Sequence, residues 1–323
     1  MDSKSAEQEF QRPQVEIVVL NYNGFVDTVS CVESLLKISY PAFRIIIVDN
    51  ASPDGDGERL KARFPNVDVL VTEGNLGYAG GNNRGIRHAL NGRAELILVM
   101  NNDILVEPSF LTSMVELFHK QPAAGIVTCK VLYKDQRDRI FSAAGSFSRL
   151  FCTGLNHGGL FSASKRHTSE CEVNFACGVL FLAKREVFQD VGLFDEELFM
   201  YFEDVEFSRR CNIRWKMFYT PLEVAYHKSG AGSRWNNYSP RYLYFHTRNR
   251  IWVFSNESGL YRTYVLLFTM LNAMAKAVVL LGNINDEREL NNARLRALWL
   301  GFRDGYRGRG GAKDYSSDYV DRL

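Results

Sequence analysis

The polar triplet Asn101-Asn102-Asp103 interrupts an apolar stretch, LILVMNNDILV, at residues 96–106. Asp103 offers a hard carboxylate oxygen, and the two asparagines offer amide oxygens and donors. That set suits a divalent cation already carrying phosphate oxygens, and it equally suits a plain turn after a strand. A second pair, Glu203-Asp204, follows the aromatic run Phe199-Met200-Tyr201-Phe202. Carboxylates that open a helix often serve only as dipole partners and caps. Aromatic neighbours that partly desolvate one suit it to proton transfer. His227 ends a strand-like segment ahead of Ser229-Gly230-Ala231-Gly232-Ser233, a stretch able to fold over a phosphate. A lone histidine at a strand end is as readily structural. Residues 73–85 (EGNLGYAGGNNRG) are dense in glycine. A helix opening near Gly81 would turn free N–H groups toward an anion. The spacing is not G-x-G-x-x-G, so it gives little support to a dinucleotide site, and a flexible glycine loop is the plain alternative.

These residues need a frame to bring them together. Apolar runs at 15–20, 44–48, 67–72 and 96–100 are each followed by a polar tip, and amphipathic segments at 26–38, 58–64 and 81–90 lie between them. Strand, tip and helix in alternation predict βαβ units and a parallel sheet. In such sheets ligands sit beyond the carboxyl ends of the strands, where Asn21-Tyr22-Asn23, Asp49-Asn50 and the Asn101–Asp103 triplet would meet. Further helices are expected at 108–119 and 184–191, and strands at 125–132, 174–183 and 215–220. Residues 134–172 read as an insertion of loops or short antiparallel strands lining a cleft. The chain of 323 residues is 46% hydrophobic and 24% charged, ordinary for a soluble globular protein, with net charge +2 and so no general pull toward nucleic acid. Six scattered cysteines without CxxC pairs favour reduced thiols over a zinc site or a disulfide framework. The polar N-terminus lacks an apolar h-region. Toward the C-terminus, 242–254 is aromatic and basic, and 264–281 is long and apolar but carries Asn272 and Lys276. Leu295, Trp299, Phe302 and Tyr306 form a helical stripe among arginines. This region reads as a membrane-surface element or as helices packing on the core.

The stretches VVLNYNG, IIVDNASPDG, GNLGYAGGNNRG, LVMNNDI, GLFDEELFMYFEDVEFSRR and VAYHKSGAGS, in this order across residues 14–235, resemble the inverting glycosyltransferases of family 2, especially their rhamnosyltransferase-like branch. The resemblance implies a GT-A type, Rossmann-like α/β fold: a mostly parallel sheet flanked by helices over 14–235, a C-terminal helical extension over 236–307 and flexible tails at 1–13 and 308–323. It implies transfer of a rhamnose- or hexose-type sugar from a UDP- or dTDP-linked donor to a hydroxyl of a glycan or lipid-linked acceptor. Asn21 and Asn23 would face the nucleotide, and Asp49 would bond the base or ribose. Asn75, Gly77, Gly80 and Asn82 would line the nucleotide and diphosphate, with Asn101 and Asn102 beside them. Asn101-Asn102-Asp103 occupies the place of the family's D-x-D motif, Asp103 matching its metal-binding aspartate and His227 completing the shell of Mn2+ or Mg2+. Asn101 departs from the motif and removes one negative charge. Asp204 would be the general base with Glu203 its support, and Gly178 would let sugar or acceptor approach the backbone. The expected setting is cytoplasmic, peripheral on the membrane face, without nucleic acid. A non-catalytic nucleotide- or sugar-binding module of the same fold and a nucleotidyltransferase are the alternatives.

Overall fold

The computed structural model describes residues 12–157, 165–228, 238–255, 257, 259–282 and 288–311, with backbone alone at 223 and 224. The expectations for residues 1–11, Gly158, Gly159, the glycine-rich 229–237 and the tail from 312 lie outside the described residues.

The first half builds the expected βαβ series. It runs β1 (Val15–Asn21), α1 (Phe25–Leu35), β2 (Phe43–Asp49), α2 (Asp56–Arg63), β3 (Asp68–Val71), α3 (Gly77–Asn91) and β4 (Leu96–Asn101). The second half runs β5 (Ile104–Val106), α4 (Phe110–Lys120), β6 (Ala124–Tyr133), β7 (Ile140–Ser142), β8 (Gly145–Ser148), β9 (Thr153–Asn156), β10 (Cys171–Val173), β11 (Leu180–Lys184) and α5 (Arg185–Val191). After a 3-10 turn at Glu196–Leu198 come α6 (Glu203–Cys211) and β12 (Lys216–His227), then α7 (Pro240–Phe254), α8 (Gly259–Gly282) and α9 (Arg288–Tyr306).

The main sheet runs β10-β12-β6-β11-β4-β1-β2-β3. β3, β2, β1 and β4 are parallel neighbours. β11 is antiparallel to both β4 and β6, and β12 again runs parallel to β6. This is the helix-flanked, mostly parallel α/β sheet with a C-terminal helical extension that the sequence predicts. β1, β2 and β4 are buried along nearly their whole length, the reason their sequences read as unbroken apolar runs. Their register levels the tips, with Asn21 opposite Asp49 and Leu20 opposite Asn101.

Two local expectations are corrected. The strand expected over 174–183 is confined to Leu180–Lys184, because the stretch before it turns through Gly178 to meet α6. α3 begins at Gly77, four residues early, and its first amides are not aimed at an anion. Asn75 Oδ1 takes the Gly77 N–H at 2.9 Å, and the Phe199 carbonyl takes that of Ala79 at 3.1 Å. On α9 the stripe divides, with Trp299 and Tyr306 exposed and Leu295 packed against the buried cluster. The helix buries Ala297, Leu298, Leu300, Gly301 and Gly305, and a methyl group on Gly301 would lie 2.5 Å from the Tyr244 carbonyl of α7. Close backbone approach selects the small residues for that seam.

Candidate active site

The tips of β1 and β2 meet in a buried polar knot. Asn21 is fully buried, and its Nδ2 donates to Asp49 Oδ1 at 2.7 Å and to Ser52 and Asp56 at 3.2 Å. Its Oδ1 accepts from Thr28. Asn21 therefore does not face a ligand, a correction to the expectation; it fastens two tips together. Asp49 is also buried, its Oδ1 taking the Ser52 hydroxyl at 2.6 Å, while its Oδ2 takes only a longer 3.3 Å bond from the Ser52 N–H. Asn23 is exposed, holds a left-handed backbone (φ 52°) and donates its N–H to Ser52 Oγ. Asn50, absent from the expected site, bonds Asn75 Oδ1, the Gly77 carbonyl and the Leu76 N–H, and so shapes the glycine loop.

Beside the knot lies a cavity of about 210 Å³ walled by Tyr22, Asn50, Asn75, Gly77, Asn101, Asn102 and Asp103, with Phe199 and Arg241 opposite. Of the expected donor-site residues, Asn75, Gly77, Asn101 and Asn102 are in its wall, and Asn21, Asn23, Asp49, Gly80, Asn82 and Gly178 are not. Gly80 packs on Leu76, and Asn82 is buried with its Nδ2 on the Tyr78 carbonyl. Asn102 is anchored by a 2.8 Å bond to Thr28. Gly77 has φ +71°, and a Cβ there would lie 2.3 Å from the Phe199 carbonyl, so only glycine fits the seam between loop and helix.

At the far end of this cavity Asp103 Oδ1 and His227 Nε2 stand 3.2 Å apart. β5 pairs with the end of β12 and sets His227 opposite Ile104, next to Asp103 in the chain. His227 stacks on Phe141 at 4.1 Å. The two atoms converge, yet Asp103 Oδ1 is buried without a hydrogen-bond partner. A carboxylate oxygen and an imidazole nitrogen that face each other unbonded fit a shared divalent cation. Among the described residues no third His, Cys, Asp or Glu joins them.

A second cavity, of about 360 Å³, shares Tyr78, Asn101 and Met200 with the first and is walled by Gly178, Glu203, Asp204, Tyr201, Tyr242 and His246. Asp204 is held from two sides: its Oδ2 takes the Gly178 N–H at 2.9 Å and its Oδ1 the Val205 N–H at 2.8 Å. Gly178 thus orients the carboxylate, and it stands in the wall of this cavity as well. Its own carbonyl is fixed by the Tyr78 hydroxyl at 2.6 Å. Burial raises the pKa of Asp204 above the usual aspartate range, against the lowering effect of those backbone N–H groups. Burial and then the Asp204 charge push Glu203 well above the usual glutamate range, and its Oε2 has no hydrogen-bond partner.

The loop ahead of this pair is strained, with Phe199, Tyr201 and Phe202 all at positive φ. Helix α7 holds it there. Asn249 Nδ2 donates to the carbonyls of Leu198, Met200 and Tyr201, and Arg248, fully buried, donates to those of Glu197 and Leu198. Sequence reasoning missed both residues; their only signal is two polar side chains inside an aromatic helical run.

The model of the family described as "Glycosyl transferase family 2" matches residues 16–192, more than half of the chain, and stops short of Asp204 and His227. N-acetylglucosaminyl-diphospho-decaprenol L-rhamnosyltransferase of Mycobacterium tuberculosis is 27% identical over 278 residues, 79% of this chain and 87% of the relative. A low-salt glycan biosynthesis hexosyltransferase, Agl10 of Haloferax volcanii, is 26% identical over 66% of this chain and 67% of its own. Among solved structures, residues 1–349 of S. aureus TarS superpose with TM-score 0.56 at 15% identity, over 90% of this chain and 80% of the other. The mannosyltransferase PcManGT of Pyrobaculum calidifontis, solved with GDP-Man and Mn2+, superposes with TM-score 0.54 at 15% identity, over 93% and 89%. At these identities the structural likeness speaks for the fold alone.

Proposed function

The chain belongs to glycosyl transferase family 2, and we propose that it is an inverting enzyme moving a rhamnose- or hexose-type sugar from a pyrimidine nucleoside diphosphate to an acceptor hydroxyl. One observation carries this reading. Two cavities meet at Asn101, with the converging Asp103 and His227 beside one and a buried, oriented carboxylate in the other.

In this reading the smaller cavity takes the donor. Asp49 Oδ2 carries only its longer bond to Ser52 and is the acceptor assigned to the imide N–H of uracil or thymine, with Asp49 buried behind the cavity wall and not in it. Tyr22, Asn75 and Asn102 line the path of the diphosphate, and Arg241 supplies a cation the sequence did not suggest. Asp103 and His227 are the residues that would hold Mn2+ or Mg2+, the histidine favouring manganese. Such a cation, when bound, neutralises charge on the departing diphosphate. Asp204 Oδ2 accepts the proton of the acceptor hydroxyl as its oxygen attacks the anomeric carbon from the face opposite the leaving group. Its raised pKa makes it a stronger base than an exposed aspartate, and the Gly178 and Val205 amides keep it aimed. A single displacement needs no covalent nucleophile.

A lipid-linked acceptor is supported by the name of the mycobacterial relative, and association with a membrane by α8. This helix of 24 residues is long and apolar enough to cross a bilayer, and it leaves Leu267, Leu271, Met274 and Val278 more than half exposed. Calorimetry with UDP, dTDP and GDP, each with and without Mn2+, tests the donor. Cation-dependent binding of one pyrimidine diphosphate is the expected result; no binding by folded protein would overturn the reading.

A further inference from the structure

The larger cavity ends at a line of side chains on α7 spaced four apart. Tyr238, just ahead of the helix, stacks on Tyr242 at 4.5 Å, and Tyr242 stacks on His246 at 4.9 Å. One turn on, Arg250 donates to His246 Nδ1 at 3.4 Å. Arginine can only donate, so Nδ1 is the acceptor and the imidazole proton is on Nε2. Burial and the nearby Arg250 and Lys276 keep that imidazole neutral, its pKa well below the usual range. Arg250 is 5% exposed, and its other bonds go to neutral acceptors, Cys152 O at 3.3 Å and Asn272 Oδ1 of α8 at 3.2 Å. One turn along α8, the Lys276 ammonium lies 5.6 Å from the Tyr238 ring and 6.0 Å from that of Tyr242. Burial first and Arg250 second lower its pKa to about 8.

Among the described residues, no ion pair links Arg250 or Lys276 to a carboxylate, and the charged neighbours that perturb each other here are all cationic or neutral. Two largely buried cations without a counter-ion are costly, unless an anion arrives. Beyond them opens an apolar groove of about 150 Å³ walled by Tyr238, Leu243, Asn272, Lys276, Val279 and Leu280. Asn272, Lys276 and Tyr238 therefore belong both to the cation cluster and to the groove, while Tyr242 and His246 belong to the catalytic cavity. Reading outward from Asp204, the order is a mostly aromatic and apolar cavity holding the two carboxylates, a cationic cluster and an apolar groove beside the exposed face of α8.

We propose that His246, Arg250 and Lys276 form an anion clamp for a phosphoryl group of the acceptor, with the acceptor's sugar toward Asp204 and its apolar chain in the groove between α7 and α8. This rests on the glycosyltransferase reading for the identity of the sugar end, but not for the clamp. It commits the acceptor to one class, a sugar joined through phosphate to a lipid chain. The ammonium of Lys276 and the Nε2–H of His246 are the donors; Arg250 is fixed behind them and supplies charge.

The test is calorimetry on the full chain with farnesyl diphosphate, inorganic pyrophosphate and farnesol, for the wild type and Lys276→Met. That variant keeps an unbranched, flexible side chain one atom shorter and removes the ammonium. Farnesyl diphosphate is expected to bind at least tenfold tighter than either pyrophosphate or farnesol, to weaken at least tenfold in Lys276→Met, and to persist in saturating UDP. Equal binding of farnesol, indifference to Lys276→Met, or displacement by UDP would each overturn the proposal, the last by placing the probe in the donor cavity. Should Lys276→Met lose its fold, as read by circular dichroism, Asn272→Asp takes its place. A carboxylate there neutralises the cluster and must weaken diphosphate binding while sparing farnesol; unchanged diphosphate binding would overturn the clamp. Failure of UDP and dTDP to bind, with farnesyl diphosphate still held, would sink the donor reading and leave the clamp standing.

Discussion

The two walls of the active site are held by opposite means. On the donor side the tips of β1, β2 and β4 are neighbours in one sheet, aligned by backbone register and tied by short polar side chains such as Asn21 and Thr28. On the acceptor side the loop 198–202 has three left-handed non-glycine residues and is kept in shape by carbonyl bonds from Arg248 and Asn249, about fifty residues downstream. The first wall is built by the fold's core and the second by a C-terminal helix. Injuries to the second should therefore cost catalysis more than nucleotide binding, since of the second wall only Phe199, Met200 and Arg241 also line the donor cavity.

Asp204→Asn should divide the walls most sharply. Loss of the proton acceptor is expected to lower kcat about 10²–10⁴-fold while calorimetric UDP or dTDP affinity stays unchanged; retained transfer would remove Asp204 from the mechanism. Asp103→Ala strikes the opposite wall. It should abolish the effect of Mn2+ on nucleotide binding and lower kcat by at least about tenfold, and cation-dependent binding that persisted would break the assignment of Asp103 and His227. Asn249→Ala takes the side-chain donor from the Met200 and Tyr201 carbonyls, while that of Leu198 keeps Arg248. We expect a loss of about 1–3 kcal/mol in chemical denaturation and a fall in kcat, with nucleotide affinity intact; a matching fall in nucleotide affinity would show that the walls are not independent.

Two smaller effects concern charge. Transfer requires ionised Asp204, and its pKa is raised, so the acid limb of the kcat profile should lie at higher pH than an exposed aspartate would give. Glu203, also raised, prefers its protonated form in the fold. Its stabilising contribution is full below the ordinary glutamate pKa and fades as pH rises through the folded value. Glu203→Gln should therefore melt higher than wild type at neutral pH, with the advantage shrinking in acid. A melting difference that does not change with pH would place the source elsewhere.

Sequence periodicity carried the frame well. Uninterrupted apolar runs in β1, β2 and β4 marked strands buried on both faces, and their polar ends marked the ligand edge. The Glu203-Asp204 pair was legible because carboxylates rarely follow four aromatic or sulfur-bearing residues without reason. Less legible was which polar residue faces the ligand and which faces its neighbour. Asn21 and Asn50 look alike in sequence, yet Asn21 is fully enclosed by Asp49, Ser52 and Asp56, whereas Asn50 reaches the cavity wall. The start of α3 was misjudged because its first amides are satisfied by Asn75 and by a carbonyl 120 residues away, at Phe199.

What the sequence determined by itself is what local pattern can encode: strand and helix order, the polar strand tips, and the residue types fit for proton transfer and cation binding. Only the tertiary structure decided how Gly178 serves Asp204, which face of α9 is buried, and that α7 braces the catalytic loop. It also set Arg250 and Lys276 together from separate helices with no acid beside them among the described residues. The reason is physical. Hydrophobic period reports the burial of a face, whereas hydrogen-bond partners and uncompensated charge depend on contacts between segments remote in the chain, which no local pattern records.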